Sequence, residues 1–150
     1  MSEQALFLLI EDTENDVLLI RRAFAQAKIL NPLQVVNSAE EAIAYLRAQG
    51  RYSSRAEFPL QALILLDLKL PGMDGFEFLR WIRQQPGLET TRIVVLTSSD
   101  LTHDVNLAYQ LGANSFLVKP VDFDALNAII NARLAGIACK PRSIPALARF

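Results

Sequence analysis

Acidic, hydroxyl and lysine side chains stand at the ends of four apolar segments of this sequence. Glu11 and Asp12 follow the first segment, and Asp67 closes the third. Thr97 and Lys119 close the fourth and the fifth. If these segments are parallel strands, their carboxyl ends meet at one edge of a sheet, which is where functional groups gather in such folds. We therefore expect the five side chains to lie close together.

Three neighbouring carboxylates predict a cation site. Two unit charges about 4 Å apart interact by roughly 4 kcal/mol at an effective dielectric near 20, so such a cluster takes up protons or binds a cation. Oxygen ligands suit Mg²⁺, which keeps several waters. A carboxylate oxygen beside the metal can attack a phosphoryl group, while the metal and Lys119 stabilise the transferring oxygens. Thr97 can donate a hydrogen bond to the same group.

The elements that must position these residues alternate regularly along the chain. Short apolar runs predict strands, and stretches with helical periodicity predict helices between them. Five successive units of this kind favour an α/β fold, a doubly wound, five-stranded parallel sheet with five helices on its two faces. The predicted strands are 5–10, 33–37, 62–67, 92–97 and 114–119, and the predicted helices are 15–28, 38–49, 74–85, 102–111 and 122–134. The polar connection 50–61 and the segment 136–150 fall outside the pattern.

The composition argues against a membrane protein, a secreted protein and a protein that binds nucleic acid through its net charge. The 150 residues are 51% hydrophobic with a net charge of −1, which predicts one packed domain and no general attraction to nucleic acid or membrane. The apolar runs are too short to span a bilayer, and no basic N-terminal stretch suggests a secretory signal. The single cysteine excludes an internal disulfide. We expect a cytoplasmic protein.

Four stretches of sequence resemble response-regulator receiver domains of two-component systems. They read LIED at 9–12, LLDLKLPGMDG at 65–75, VVLTS at 94–98 and FLVKP at 116–120. The resemblance implies a flavodoxin-like strand order, 2-1-3-4-5, in a receiver domain of residues 1–135. Residues 136–150 would form a C-terminal tail without a separate output domain.

The resemblance also implies a role for each residue of the site. Asp67 would accept a phosphoryl group, with Thr97 and Lys119 assisting, so the chain would be a phosphoacceptor that assists its own phosphorylation and dephosphorylation and not a true enzyme. Thr97 and the aromatic Phe116 would form the switch that responds to phosphorylation. The Mg²⁺ ligands would be Asp12, Asp67 and the backbone carbonyl of Lys69, with Glu11 completing the acid pair.

A narrower resemblance concerns the partner. The segment EDTENDV at 11–17 and the long connection 50–61 are similar to those of stand-alone cyanobacterial receivers that partner phytochrome histidine kinases. We therefore expect phosphoryl transfer from a histidine kinase, which a phytochrome would supply on this reading, and relay to a downstream protein that the sequence does not name.

The last predicted helix indicates a homodimer. One stripe, Phe123, Leu126, Ile130 and Leu134, should pack on the sheet. A second stripe would lie nearly opposite and remain free for a partner, and it consists of Ala125, Ile129, Ala132 and Gly136. With Phe116 on the fifth strand, these residues predict a dimer through the fourth helix, fifth strand and fifth helix. The alternative is a monomer whose tail folds back over the second stripe.

Three other kinds of protein are alternatives to a receiver domain. A dehalogenase-type phosphatase needs its aspartate nucleophile on the first strand with a second acid two residues later, and Glu11-Asp12 lacks that spacing. A flavin module needs a phosphate loop at this place, where the acid pair would repel the phosphate. A scaffold that works without phosphorylation stays open, although all the chemical residues are present.

Overall fold

The computed structural model describes residues 6–58, 61–98, 102–119 and 121–134. Strands and helices alternate along this part of the chain, as the sequence predicts. The strands are β1 (Leu6–Ile10), β2 (Leu33–Val36), β3 (Gln61–Asp67), β4 (Ile93–Thr97) and β5 (Ser115–Val118). The helices are α1 (Glu14–Gln26), α2 (Ala39–Leu46), α3 (Gly75–Arg83), α4 (Thr102–Gln110) and α5 (Phe123–Leu134), with a short 3₁₀ helix at Gly50–Tyr52.

The five strands form one parallel sheet in the order β2-β1-β3-β4-β5. The predicted fold class and strand order are therefore confirmed. Because all strands run in the same direction, their carboxyl ends lie along one edge. The strands β2 and β5 form the two sides of the sheet, and β1 and β3 are neighbours near its centre.

Helices cover the sheet on both faces, and alternate strand residues pack against each layer. Every residue of β1 and β4 is buried, as expected for a parallel sheet covered on both sides. On one face the strands pack against α2, α3 and α4, through Leu8, Ile10, Ile64, Leu66, Ile93 and Val95. On the other face they pack against α1 and α5, through Phe7, Leu9, Leu63, Leu65, Val94 and Leu96.

Helix α2 ends earlier than the sequence predicts. The sequence predicts that this helix runs to Gln49, but its last residue is Leu46. The chain turns at Ala48, which has a left-handed φ of 54°. The N–H groups of Ala48 and Gln49 donate to the carbonyls of Tyr45 and Ala44, at 3.1 and 2.9 Å. These two bonds form a Schellman motif, which satisfies carbonyls at the end of a helix.

The connection after α2 is packed and not simply polar, which corrects the sequence interpretation. Tyr52 is only 2% exposed. Its ring centroid lies 5.1 Å from that of Tyr45 on α2 and 5.0 Å from that of Phe58. Arg55 donates to the carbonyls of Tyr45 and Leu46 at 3.0 and 2.8 Å, so it caps the end of α2. Two aromatic residues therefore pack this segment onto α2, although most of its other side chains remain exposed.

Candidate functional site

Three carboxylates meet at the carboxyl edge of the sheet. Ile10 pairs with Leu66 in the register of β1 and β3, so the next residues, Glu11 and Asp67, stand side by side. One oxygen from each of Glu11, Asp12 and Asp67 can be chosen so that all three lie within 4.8 Å of one another. Glu11 and Asp67 are buried, whereas Asp12 is exposed to solvent.

This cluster fits a small, hard cation. Its donors are oxygens only, which are the ligands that Mg²⁺ and similar ions prefer. The exposed Asp12 leaves one side open to water, and an ion of this kind keeps several waters when proteins bind it. The negative charges are also concentrated where burial makes them costly, so a cation would stabilise them.

Lys119 supplies the opposing charge. It follows β5, and its ammonium lies 2.7 Å from Glu11 Oε1 and 3.4 Å from Asp67 Oδ2. The backbone N–H of Lys119 donates to the carbonyl of Thr97 at 2.8 Å, which fixes the chain where the side chain departs. The lysine therefore reaches across the ends of β4 and β3 to the end of β1.

The pKa values of Glu11 and Lys119 depend on burial and on the neighbouring charges. Burial raises the pKa of the Glu11 carboxyl to about 7, although the hydrogen bond from Lys119 opposes the shift and Asp67 adds to it. Burial disfavours the charge on Lys119, but its hydrogen bonds to carboxylates outweigh that effect and raise the pKa of the ammonium. Lys119 is therefore charged at every physiological pH, and a cation beside Glu11 would favour the ionised carboxylate.

A fourth carboxylate, which the sequence analysis did not select, also contacts the lysine. Asp16 Oδ2 accepts a hydrogen bond from Lys119 Nζ at 2.9 Å. Acidic residues in the first turn of a helix are usually explained by the helix dipole, and Asp16 occupies such a position in α1. The signal that could have found it is its place in the first turn of the helix that directly follows the acid pair.

The remaining predicted residues surround Asp67 on the β4 side. Asp67 pairs with Leu96 in the sheet, and Thr97 follows at the end of β4, where it is 1% exposed. The backbone N–H of Lys69 donates to Asp67 Oδ1 at 3.2 Å. The role of the Lys69 carbonyl as a metal ligand stays a prediction.

The start of α3 packs closely against the backbone that follows β3. A Cβ on Gly75 would lie 2.7 Å from Leu68 Cα and 2.8 Å from the Asp67 carbonyl oxygen, so only glycine fits there without movement. Asp74 and Glu77 then begin α3 with a capping box, at the position where the sequence predicts this helix to start. These contacts fix the backbone on which the Asp67 side chain stands.

The residues predicted for the switch and the dimer lie on β5 and α5. Phe116 is 4% exposed, and its ring meets that of Tyr109 on α4 edge to face at 6.2 Å. Leu126 and Ile130 pack on the sheet as expected. Ala125 and Ile129 do not form an opposite stripe, because both are partly buried against the same α1-side core. The side chain of Ala132 lies outside the described part of the structure.

Comparisons with known proteins agree with this arrangement. Residues 7–131 match the family model of the response regulator receiver domain. The response regulator Rcp1 of a Synechocystis strain is 38% identical over 112 residues, which are 75% of this chain and 74% of the relative. No helix among the described residues is both long and apolar enough to cross a membrane.

Solved structures extend the similarity to the backbone. The phosphorylated cyanobacterial phytochrome response regulator RcpA is 33% identical with a TM-score of 0.71, covering 86% of this chain and 90% of that one. The Mn²⁺-bound form of Rcp1 is 34% identical with a TM-score of 0.70, covering 85% and 90%.

Proposed function

Since the chain belongs to the response-regulator receiver family, we propose that it accepts a phosphoryl group on Asp67 and relays a signal through contacts with other proteins. The observation that carries this proposal is the ammonium of Lys119, which lies 3.4 Å from Asp67 Oδ2 and is held against the buried Glu11. A lysine held beside this aspartate can stabilise the negative charge of a phosphoryl group that is transferred to it.

The transfer would proceed by attack of an Asp67 carboxylate oxygen on phosphorus. The new O–P bond forms an acyl phosphate, while the P–N bond of a phosphohistidine donor breaks and its electron pair stays on the imidazole nitrogen. Charge spreads over the phosphoryl oxygens in such transfers, so positioning and electrostatic stabilisation supply most of the catalysis. Lys119 would supply part of that stabilisation. Thr97, buried at the end of the neighbouring strand, would donate its hydroxyl to a phosphoryl oxygen.

A divalent cation would be held by Asp12, Asp67 and the Lys69 carbonyl, with Glu11 behind them. Receiver domains bind divalent metals, and we propose Mg²⁺ for this chain because its donors are hard oxygens. The relative Rcp1 has been solved with Mn²⁺, which prefers the same ligands. When bound, the metal would offset the charge of the carboxylates and of the incoming phosphoryl group.

The switch would follow from the new charge on Asp67. Thr97 would move towards the phosphoryl group, and Phe116 and Tyr109 would adjust to the space that Thr97 leaves. Such a change is a shift between two conformations, biased by a local charge. The surface of α4, β5 and α5 would carry the signal, because the Phe116 ring contacts α4 from β5.

The donor that we propose is a histidine kinase of the phytochrome class. The support is the similarity to Rcp1 and to RcpA, which is described as a phytochrome response regulator. We place the receiver domain at 1–135 and assign residues 136–150 to a tail, and we propose that the downstream step is a contact with another protein. Transfer from a phosphorylated phytochrome kinase should be faster than from a kinase of another class at equal concentration.

The proposal is tested by intact mass after incubation with acetyl phosphate and Mg²⁺. We expect one added phosphoryl group on the wild-type chain and none on Asp67→Asn. Asp124→Asn is the matched control, because it makes the same chemical change at an exposed position in the first turn of α5. An unmodified wild-type chain would favour the scaffold, and steady release of phosphate without an adduct would favour a phosphatase.

A further inference from the structure

Lys119 is held by two carboxylates before it reaches the phosphoacceptor. Its ammonium donates to Glu11 Oε1 at 2.7 Å and to Asp16 Oδ2 at 2.9 Å. Asp67 Oδ2 lies further away, at 3.4 Å. Glu11 is completely buried, whereas the side chain of Asp16 is 29% exposed at the start of α1. One anchor is therefore inside the protein and the other is at the mouth of the site.

The three N–H donors of the ammonium explain how two carboxylates can fix its orientation. A lysine ammonium has three N–H donors. Two of them are used by Glu11 and Asp16, so one remains for Asp67 or for a group attached to it. If only Glu11 held the lysine, the ammonium could rotate about that contact, because the side chain has a flexible four-carbon stem. The second anchor removes that freedom.

We propose that Asp16 is a positioning residue, which fixes Lys119 so that its third donor points at the phosphoryl group on Asp67. This inference rests on the proposed function and assigns to the site a residue outside the cluster of three acids. Asp16 itself would touch neither the metal nor the phosphoryl group. Its effect on phosphorylation would pass entirely through Lys119.

A simpler reading is that Asp16 only stabilises α1. An acidic residue in the first turn favours a helix through its dipole, and both Glu14 and Asp16 stand in the first turn of α1. Glu14 is exposed, and none of the contacts of Lys119 in the described part of the chain involves it. Glu14→Ala therefore removes the same charge from the same turn and leaves the lysine held.

The experiment compares Asp16→Ala, Asp16→Asn and Glu14→Ala in the full chain with acetyl phosphate and Mg²⁺. We expect the phosphorylation rate to fall by roughly tenfold in Asp16→Ala, since a misplaced catalytic group costs rate steeply. Asp16→Asn keeps an oxygen that accepts the hydrogen bond, so it should recover most of the rate. Glu14→Ala should match the wild type. If Asp16→Ala does not fold, the Asp16→Asn and Asp16→Leu pair gives the same comparison, because leucine favours a helix, is close to aspartate in size and offers no oxygen to the lysine.

Two further measurements separate positioning from a structural role. In a Lys119→Ala background, adding Asp16→Ala should cause no further loss of rate, because residues that act through one group are not additive. The ¹⁵N-edited spectrum should show the Lys119 ammonium protons in the wild type and in Glu14→Ala, and lose them to fast exchange in Asp16→Ala. The Mg²⁺ affinity should change by less than about twofold, as the acid cluster is intact.

The outcomes distinguish this inference from the proposed function. A wild-type chain that takes up no phosphoryl group overturns both. A phosphorylated wild type with an equally fast Asp16→Ala, or with additive losses in the Lys119→Ala background, overturns the role of Asp16 alone. A rate loss shared equally by Glu14→Ala also overturns it, since the helix dipole would then account for the effect.

Discussion

Glu11 and Lys119 are 108 residues apart in the chain and are joined by a hydrogen bond of 2.7 Å. They follow β1 and β5, which are separated in the sheet by β3 and β4. The lysine side chain thus spans two intervening strand ends, and it passes Asp67 on the way. This contact therefore links the centre of the sheet to its side and places a positive charge next to Asp67.

Removing the lysine should destabilise the fold. In Lys119→Met the Glu11 carboxyl stays completely buried without its cation and, because its pKa is already raised to about 7, would take up a proton. The loss is then that of a buried hydrogen bond, about 1–3 kcal/mol. We expect the free energy of unfolding in urea, without divalent metal, to fall by about this amount. The double variant Glu11→Gln, Lys119→Met should recover part of the loss. Equal stabilities of wild type and Lys119→Met would mean that the contact is not formed in solution.

Metal binding should depend unequally on the two acids of the pair. Asp12 is exposed and matches a direct ligand, whereas Glu11 is buried and already bonded to Lys119. Calorimetric titration with Mg²⁺ should therefore show a larger loss of affinity for Asp12→Ala than for Glu11→Gln. Excess chelator should abolish phosphorylation of the wild type by acetyl phosphate. Phosphorylation that continues at the same rate in chelator would contradict the metal assignment.

Alkaline titration should show that the tyrosine hydroxyls ionise at unusually high pH. All three tyrosines have raised pKa values: burial raises that of Tyr45 above 10.0 and those of Tyr52 and Tyr109 to about 12, with Glu41 adding to the shift at Tyr52. The folded chain thus binds these protons more tightly than the unfolded chain. The stability gained is fully present below pH 10 and is lost as pH rises through about 12.

The measurement is phenolate absorbance near 295 nm. At pH 10 the native chain should show little phenolate, while the same chain in urea should be about half ionised. Tyr109→Phe should remove one late-titrating group and should not reduce stability, because the described structure gives its buried hydroxyl no hydrogen-bond partner. Native and unfolded titration curves that coincide would show that the rings are not buried in solution.

The homodimer stays a prediction, and the structure sharpens its test. The strand β5 is at the side of the sheet, and its last residue, Val118, is 38% exposed. Val118→Asp should therefore weaken a dimer through α4, β5 and α5 without disturbing the core. Ile129→Asp should also weaken it, but Ile129 is partly buried, so its stability must be measured in parallel.

Equilibrium sedimentation decides between dimer and monomer. Trp81→Ala is the control, since Trp81 lies on α3, where it packs against Phe78 at 5.9 Å. It should leave the association unchanged. A wild-type chain that is monomeric at tens of micromolar, both with and without phosphorylation, would refute the dimer and leave Val118 as an isolated exposed residue.

The sequence predicted the sheet and the main site residues for one physical reason. In a parallel sheet the ends of the strands are fixed by the fold, so Glu11, Asp67, Thr97 and Lys119 could be placed together without any knowledge of side-chain conformations. Local patterns were also sufficient at Asp74, whose capping box begins α3 as expected.

The wrong or missing predictions concern residues whose environment is set by tertiary packing and not by local sequence. Asp16 resembled an ordinary acid of a first helical turn, and only the path of the Lys119 side chain reveals its partner. The aromatic residues Tyr52 and Phe58 lie in a stretch without periodicity, so their burial against α2 left no pattern in the sequence. The second stripe of α5 was misplaced because Ile129 lies close to Leu126 around the helix, where both meet the same core.

The strand order has a consequence for protein synthesis. Asp67 leaves the ribosome 52 residues before Lys119 (119 minus 67), which corresponds to roughly 3–10 s at about 5–20 residues per second. During that time the nascent chain carries its carboxylates without their lysine, and β5, the strand that delivers the lysine, has not been made. Competence to receive a phosphoryl group would therefore arise only after β5 has been made, and products truncated before β5 would lack the lysine that the site needs.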